Sequence, residues 1–426
     1  MRMPLMLESP ERTQNAPAQA HLWTRLGPGI LFAGVAIGTS HLVQSTRAGA
    51  LYGLGLLGVL VFANLIKYPG FRIGPQYAAI TSESLLTGYA RLGRWVVIVI
   101  GLVLLFIHSI FIAATAITAS GIALAISSSA LDARFFAVGL IFLAIGLVRG
   151  GGFGLLDNLN KACVAVLTLC TLVATVIVLP EVRWELTLEP FHSLDIGVFV
   201  FAVALMGFMP AGVDLSIVHS LWTLEKGRER KPNLQDTLMD FHVGYIGSAG
   251  LAVCFLLMGA GVMQAQGVTP ASGAADFATQ VISLYTSTLG QWSAVVVGVC
   301  ALAVMFSTLL AIVDGLPRIQ VASLQATRLA NSESPSALWI ITCVQGGLAI
   351  LVLLFLMSSF TRFIDFVTIT SFIVGPFVAV LNHVVATRDP VPIEHRLAGG
   401  LLWWSRLGII AMTGVALGYF YFQFLN

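Results

Sequence analysis

Long apolar runs separated by short polar loops make up most of the chain. A bilayer core requires about 20 apolar residues per helix, and eleven runs approach or exceed that length. We call them spans 1 to 11, and they lie near residues 28–48, 51–73, 95–127, 135–150, 160–180, 195–224, 240–264, 290–314, 337–358, 363–386 and 401–424. The pattern therefore predicts an all-α membrane protein with about 11 transmembrane helices.

The segments between and before the spans are short. The sequence "ASGAADFATQVISLYTSTLG" in the 265–289 loop spaces Phe277, Val281, Leu284 and Tyr285 as on one helix face, which predicts a short surface helix. Residues 1–22 are polar and contain three prolines, so we expect a disordered tail. The predicted domains are this tail, a core over 23–390 and an extra C-terminal helix over 400–426.

Two spans are interrupted by residues that disfavour a helix. In span 1, "AGVAIGTSHLVQSTRAG" places glycine, hydroxyl and imidazole groups inside an apolar run. In span 6, "VALMGFMPAGVDLSIVHS" carries Gly207, Pro210 and Gly212. Lipid tolerates a broken helix only where it is buried or lines a cavity. Paired breaks five spans apart predict an inverted-repeat transporter, with one repeat over about 25–180, another over about 195–386, and span 11 outside both.

Composition supports a membrane protein and excludes several other classes. The chain is 57% hydrophobic and only 10% charged, whereas soluble proteins average about 25% charged residues. The net charge of +2 is too small to suggest nucleic acid as a partner. The five cysteines lie in apolar runs without metal-type spacing. The chain contains neither an H-E-x-x-H nor a G-x-S-G motif, so we expect no enzyme activity and no cofactor.

Positive charge predicts the orientation. With the N-terminus inside, 18 of the 22 Lys and Arg residues lie on the inner side and 4 on the outer side. We therefore expect a multi-pass protein of the inner (plasma) membrane with a cytoplasmic N-terminus. Lipid and a small ion or solute are the expected partners, and the protein is expected to be a monomer.

Several polar residues near the breaks are candidates for binding or proton movement. Asp214 lies in the middle of an apolar span, where a carboxylate is expensive and functional by default. Its alternative role is a structural bond to the broken backbone. His41 can titrate or bind a transition metal, or it can bond a freed carbonyl. Gly38, Thr39 and Ser40 offer carbonyls and hydroxyls.

The remaining titratable residues receive weaker assignments. His219 follows Asp214 on span 6 and could extend a proton path with Asp214 and His41. His108 and His242 are interpreted as ordinary packed histidines. Asp314 and Asp365 stand at span ends and are interpreted as solvated or capping residues.

The residues around the first break resemble a known family. "LGPGILFAGVAIGTSHLVQSTRAGALYGLGLLGVLVFANLIKYPGF" resembles the first two helices of the Nramp family of proton-coupled divalent-metal transporters. "GGFGLLDNLNKA" before span 5 and Met209-Pro210 in span 6 are similar to further family motifs. The resemblance covers most of residues 25–390 and implies the leucine-transporter-like fold with two five-helix inverted repeats and broken helices 1 and 6.

The same alignment shows departures from the family at its metal ligands. Gly38 to His41 replace the family's DPGN motif, so the metal-binding Asp is missing and His41 takes the place of the Asn. Met209 matches the family's thioether ligand, whereas Ala211 and Gly212 replace His-Asn. Ala113 and Ala116 replace the span-3 carboxylates tied to proton movement. The resemblance thus implies a divergent branch in which His41, Asp214 and Met209 are the candidate metal ligands.

Two functions follow. The first is a secondary transporter that moves a cation, with a divalent metal ion as the leading candidate, by alternating access. The alternative is a transporter of a small organic solute, an amine or amino acid, with Asp214 pairing an ammonium group. In both, the predicted substrate site consists of Gly38, Thr39, Ser40, His41, Met209, Ala211 and Asp214.

Overall fold

The computed structural model of the protein describes residues 27–129, 131–150, 153–184, 195–227, 233–329 and 335–424. These residues form helices joined by short connections, and no strand occurs among them. The predicted tail over 1–22 lies outside the described residues, and the predicted domain boundaries stay predictions.

The two interrupted spans are divided in the structure. Span 1 consists of Pro28–Ala36, a π-helical segment Ile37–Ser45 and Thr46–Tyr52. Span 6 consists of Ile196–Gly207 and Leu215–Gly227, with residues 208–214 between them. Each break therefore falls where glycine or proline interrupts the apolar pattern.

The other nine spans are continuous. They are Leu57–Thr81, Arg94–Ser127, Ala133–Gly150, Phe153–Val178, Leu234–Met258, Ser293–Ala326, Pro335–Phe355, Phe360–Ala386 and Gly399–Phe424. A 3₁₀ turn over Leu179–Glu181 follows span 5, and a π-helical turn over Gly259–Gln264 follows span 7. Among the described residues, 8 helices are long and apolar enough to cross a membrane. The divided spans 1 and 6 and the charged span 2 bring the number to the predicted eleven.

Two details differ from the sequence prediction in ways that matter for the site. Span 2 begins at Leu57 and continues to Thr81, so Lys67 lies in the middle of the span and not near its end. A short helix over Leu85–Leu92 follows span 2. The side chain of Ser84 caps its N-terminus by accepting a hydrogen bond from the Thr87 amide. The surface helix predicted before span 8 is present as Ala274–Leu289.

The divided spans lie at the centre of the protein. Every residue of Ile37–Ser45 is buried. In spans 4, 5, 9 and 11, by contrast, only 17–33% of the residues in an apolar stretch of 18 are buried inside the protein. Span 1 contacts span 7 through small residues, since a Cβ on Gly49 would collide with the Leu256 carbonyl. Such close approach of small residues is the usual packing in lipid. The outer spans thus face lipid and hold the broken pair inside.

Candidate functional site

The break in span 1 is local. Gly38 has φ −60° and ψ −128°, and it is the residue with non-helical dihedrals inside the segment Ile37–Ser45. The chain then continues as a π-helix, a form that is rare and frequently placed at functional sites. The prediction that span 1 is broken is confirmed, with the departure concentrated at Gly38 and not spread from Gly38 to His41.

The break in span 6 exposes carbonyl oxygens to a buried cation. The last carbonyls of a helix lack intrahelical partners and carry partial negative charge. Here the Lys67 ammonium of span 2 donates to the carbonyl oxygens of Gly207 at 2.8 Å and Ala211 at 2.9 Å. It also bonds the Met206 carbonyl. Lys67 therefore satisfies the backbone that the break leaves open.

Asp214 lies directly before the second half of span 6 and pairs with a histidine. Its Oδ2 is 3.2 Å from His108 Nε2, and both side chains are buried. Because a carboxylate accepts, Nε2 of His108 carries the proton. The other ring nitrogen, Nδ1, has no hydrogen-bond partner among the described residues. His108, which the sequence predicts to be an ordinary packed histidine, thus contacts the Asp214 carboxylate.

A cavity separates the two breaks. This central cavity has a volume of about 60 Å³, and its lining includes Thr39, Ser40, Thr115, Ala211, Asp214 and Thr308. A single water needs about 10–15 Å³ of such volume, so the space holds a few waters or one small solute. Asp214 is the one acidic residue among the described residues that line it. Four of the predicted site residues, Thr39, Ser40, Ala211 and Asp214, thus meet here.

His41 and Met209 are placed elsewhere. The π-helical continuation turns His41 towards span 7, where Nε2 donates to the Ser248 carbonyl at 2.8 Å. Its Nδ1 is 2.6 Å from Ser40 Oγ. The Met209 sulfur is 3.5 Å from Ser45 Oγ. The structure does not bring these two side chains or Gly38 to the lining of the central cavity, and their roles as ligands stay predictions.

No group of three or more His, Cys, Asp or Glu side chains that could hold a metal occurs in the part of the chain that the structure describes. His219 is buried, stacks on Phe32 at 5.8 Å and packs near Phe241. Neither of its ring nitrogens has a partner among the described residues. Its place on a proton path stays a prediction.

A cluster of charged and polar side chains surrounds Arg47 on span 1. On the side of span 1 that carries Arg47, the Arg47 guanidinium contacts both oxygens of Asp365 at 2.6 and 3.0 Å. Gln44 bonds both partners, and Phe201 of span 6 lies under the guanidinium at 5.0 Å. This cluster, which we call the outer cluster because the charge pattern predicts that Arg47 lies outside, ties spans 1, 6 and 10 together. The expectation that Asp365 is a solvated or capping residue is wrong, because the structure places it in a largely buried ion pair.

At the opposite end, a vestibule of about 1020 Å³ lies between the short helix Leu85–Leu92, span 6 and span 8. Its lining includes Glu83, Arg91, Trp222, Asp314 and Arg318. Arg91 pairs with Glu83, and Arg318 pairs with Asp314 at 2.7 Å. The vestibule and the central cavity share no lining residue among those that the structure describes, and both lie beside span 6.

Sequence comparison identifies a relative of the chain, although no protein-family model matches it. The uncharacterized protein PM0681 of Pasteurella multocida (strain Pm70) is 33% identical over 403 residues, which cover 92% of this chain and 90% of that protein. The chain belongs to the same family as PM0681.

Solved structures show the fold of this family. A mutant of the manganese transporter of Eremococcus coleocola aligns with a TM-score of 0.70 at 13% identity, over 96% of this chain and 88% of that one. MhsT in complex with L-phenylalanine aligns with a TM-score of 0.62 at 16% identity, over 94% and 98%. The fold is therefore Nramp-like and leucine-transporter-like. The prediction of an all-α inverted-repeat membrane protein with broken spans 1 and 6 is confirmed.

We predict that Gly212→Ala blocks the central cavity. A Cβ at this position would collide with a carboxylate oxygen of Asp214 and with Ser371 Oγ. Substrate uptake into proteoliposomes should fall by about tenfold or more, since a misplaced site group costs binding and rate. Gly139→Ala is the matched control, because nothing lies within 4 Å of its added Cβ. Normal uptake by the Gly212→Ala variant would show that Asp214 does not need this space.

We predict that His41→Ala acts mainly on stability. The variant removes the imidazole donor from the Ser248 carbonyl and leaves the Ser40 hydroxyl with the Ala36 carbonyl alone, and an unsatisfied buried group costs about 1–3 kcal/mol. The melting temperature of the purified protein should fall, while the exposed His395→Ala control should melt like the wild type. An unchanged melting temperature together with weaker metal binding would instead make His41 a ligand.

Proposed function

We propose that the protein is a secondary active transporter that moves a small cation through the membrane by alternating access. The observation that carries this proposal is the buried Asp214 carboxylate, which lines a cavity between two broken spans. Broken helices at the bilayer midplane are the usual place for substrate and ion sites in this fold class. A divalent metal ion is the first candidate substrate, as in a divergent Nramp-related branch, and the likeness in fold to a manganese transporter supports it.

The chemistry of the site assigns distinct tasks to its residues. Asp214 would supply the negative charge that offsets the dehydration of a bound cation, and His108 Nε2 would hold the carboxylate in place. The hydroxyls of Thr39 and Ser40 would add oxygen ligands from span 1, whereas the Ala211 carbonyl already accepts from Lys67. Oxygen ligands suit hard divalent ions such as Mg²⁺ and Mn²⁺.

A second candidate substrate is a small organic solute with an ammonium group. The charge of the site favours it, because the buried Lys67 ammonium at the span-6 break already balances the buried Asp214 carboxylate, so that a divalent ion would add two uncompensated charges. A substrate ammonium that pairs with Asp214 brings only one positive charge to the site, whereas a divalent metal ion brings two. MhsT, which has the same fold, forms a complex with an amino acid, L-phenylalanine.

The orientation and assembly belong to the same proposal. With Lys67 inside span 2, 17 of the other 21 Lys and Arg residues lie on the inner side and 4 on the outer side, which supports a cytoplasmic N-terminus in the inner membrane. The vestibule then opens to the cytoplasm, because Arg91 and Arg318 lie on the positive side. We expect a monomer without nucleic acid, a cofactor or enzyme activity.

Uptake assays distinguish the two substrates. Purified protein in liposomes should take up Mn²⁺ from the medium, and an excess of a primary amine or an amino acid should leave this uptake unchanged. Competition and uptake by the amine or amino acid, with no Mn²⁺ movement, would replace the first substrate by the second. Liposomes that accumulate neither class in either membrane orientation would reject the proposed function.

A further inference from the structure

Lys67 is a charged side chain enclosed by protein in the middle of span 2. It is 1% exposed and among the largest fully buried side chains of the described residues. A charge at this depth is expensive and is retained for a purpose. Neither substrate proposed above requires a second cation at this position, so the role of Lys67 needs a separate explanation.

The surroundings of the ammonium match its chemistry. An ammonium group has three N–H donors and no acceptor. The carbonyl oxygens of Met206, Gly207 and Ala211 supply three acceptors, the last two at 2.8 and 2.9 Å. The ring of Phe372 lies 5.9 Å from Nζ and adds a cation–π contact. Each donor therefore has one carbonyl, and the cation fits the break closely.

The same arrangement of acceptors would suit an inorganic cation. Unwound carbonyls and the C-terminal ends of half-helices coordinate Na⁺ in transporters with broken helices. The end of the first half of span 6 at Gly207 is such a C-terminal end, and it carries partial negative charge. Lys67 thus stands where a monovalent ion would find carbonyl ligands.

The charge balance points the same way. Asp214 follows Ala211 by three residues and brings one buried negative charge to the break. The Lys67 ammonium brings one positive charge to the carbonyls on the other side. The break is therefore neutral without a bound alkali ion.

We infer that the Lys67 ammonium is a built-in cation that takes the place of a bound sodium ion at the span-6 break, so that transport requires no sodium. The part about transport rests on the proposed function, whereas the carbonyl site does not. Removing the side chain should accordingly create a site for a small monovalent cation with the size and charge of an ammonium group.

Thermal unfolding of purified protein tests the site without any substrate. Wild type, Lys67→Ala and Lys67→Met are melted in sodium, methylammonium and tetramethylammonium chloride at equal ionic strength. Lys67→Ala should melt several degrees below the wild type in tetramethylammonium, and methylammonium or sodium should recover most of that loss. Lys67→Met should melt low in all three salts, because its side chain fills the space. Wild type and the Arg149→Ala control should not distinguish the salts.

Two results would overturn the inference. One is a Lys67→Ala protein that melts at the same temperature in all three salts. The other is a wild type that sodium stabilises over both organic cations, which would place a sodium site beside Lys67. If Lys67→Ala does not fold, the wild-type comparison decides, and equal melting in the three salts upholds the inference. Recovery by methylammonium in a protein that transports neither Mn²⁺ nor amines would reject the proposed function and leave the built-in cation standing.

Discussion

The Asp214→Asn variant should lose uptake by about 100-fold or more while folding normally. A carboxylate at 4 Å from a bound unit charge contributes about 4 kcal/mol at an effective dielectric constant near 20, and each 1.4 kcal/mol corresponds to about tenfold in affinity. The amide keeps the shape of the carboxylate, and its oxygen still accepts from His108 Nε2. The loss should therefore be one of charge and not of structure.

Uptake of Mn²⁺ and of an amine is measured in proteoliposomes with matched amounts of each variant. Asp132→Asn is the matched control, since it makes the same chemical change at an exposed loop carboxylate that pairs with Arg134. A cooperative melting transition above the assay temperature checks the fold, since the uncompensated Lys67 charge should lower the melting temperature. Wild-type uptake by Asp214→Asn would remove the carboxylate from the binding site.

The Arg47→Met variant should open the outer cluster. The substitution leaves Asp365 without the guanidinium that contacts both its oxygens, and breaking a largely buried ion pair in this way costs about 3–5 kcal/mol. The ratio of the arrangement in which span 1 is tied to span 10 to the arrangement in which it is not should therefore fall by about 100-fold or more. Net uptake should fall, because alternating access requires this end to close.

Labelling measures the opening. A cysteine at Ser45, which is buried beneath the cluster, is introduced in a background without the five native cysteines. Its rate of reaction with a membrane-impermeant maleimide should rise by about 100-fold in the Arg47→Met variant. The control Arg134→Met breaks an exposed pair and should change the rate little, because exposed pairs contribute only about 0–1 kcal/mol. Equal rates in the two variants would show that the cluster is not a gate.

The positions of the spans and of both breaks follow from the sequence for a physical reason. Lipid offers no hydrogen bonds to a broken backbone, so Gly38 and Pro210 inside apolar runs mark places where tertiary structure must satisfy it. The structure shows how it does so at span 6, where Lys67 donates to the carbonyls at the break. Hydropathy alone identifies the break but not the group that completes it.

The partners at the site were missed because they come from distant spans. His108 lies 106 residues from Asp214 along the chain, and Lys67 lies 144 residues from Ala211. A signal for Lys67 was present, since a charged residue inside an apolar span is functional by default. The predicted end of span 2 at residue 73 concealed it, because that boundary placed Lys67 near the membrane surface.

The orientation of His41 depends on local geometry that periodicity does not give. The observed π-helix after Gly38 places the imidazole against Ser248 on span 7, and the hydropathy pattern does not predict a π-helix. Thr39 and Ser40 keep their expected place at the cavity under the same geometry. One change of helical pitch thus separates residues that are adjacent in sequence.

A structure of the protein with transported substrate tests the central claim most directly. With Mn²⁺, an anomalous difference map should place the ion in the central cavity, bound to an oxygen of Asp214 and close to Thr39, Ser40 and Ala211. If an amine is the transported species, its ammonium should occupy the same position. The Asp214→Asn protein should show no such density under identical conditions. Substrate density confined to the vestibule, or the same density in both proteins, would contradict the assignment of the site to the gap between spans 1 and 6.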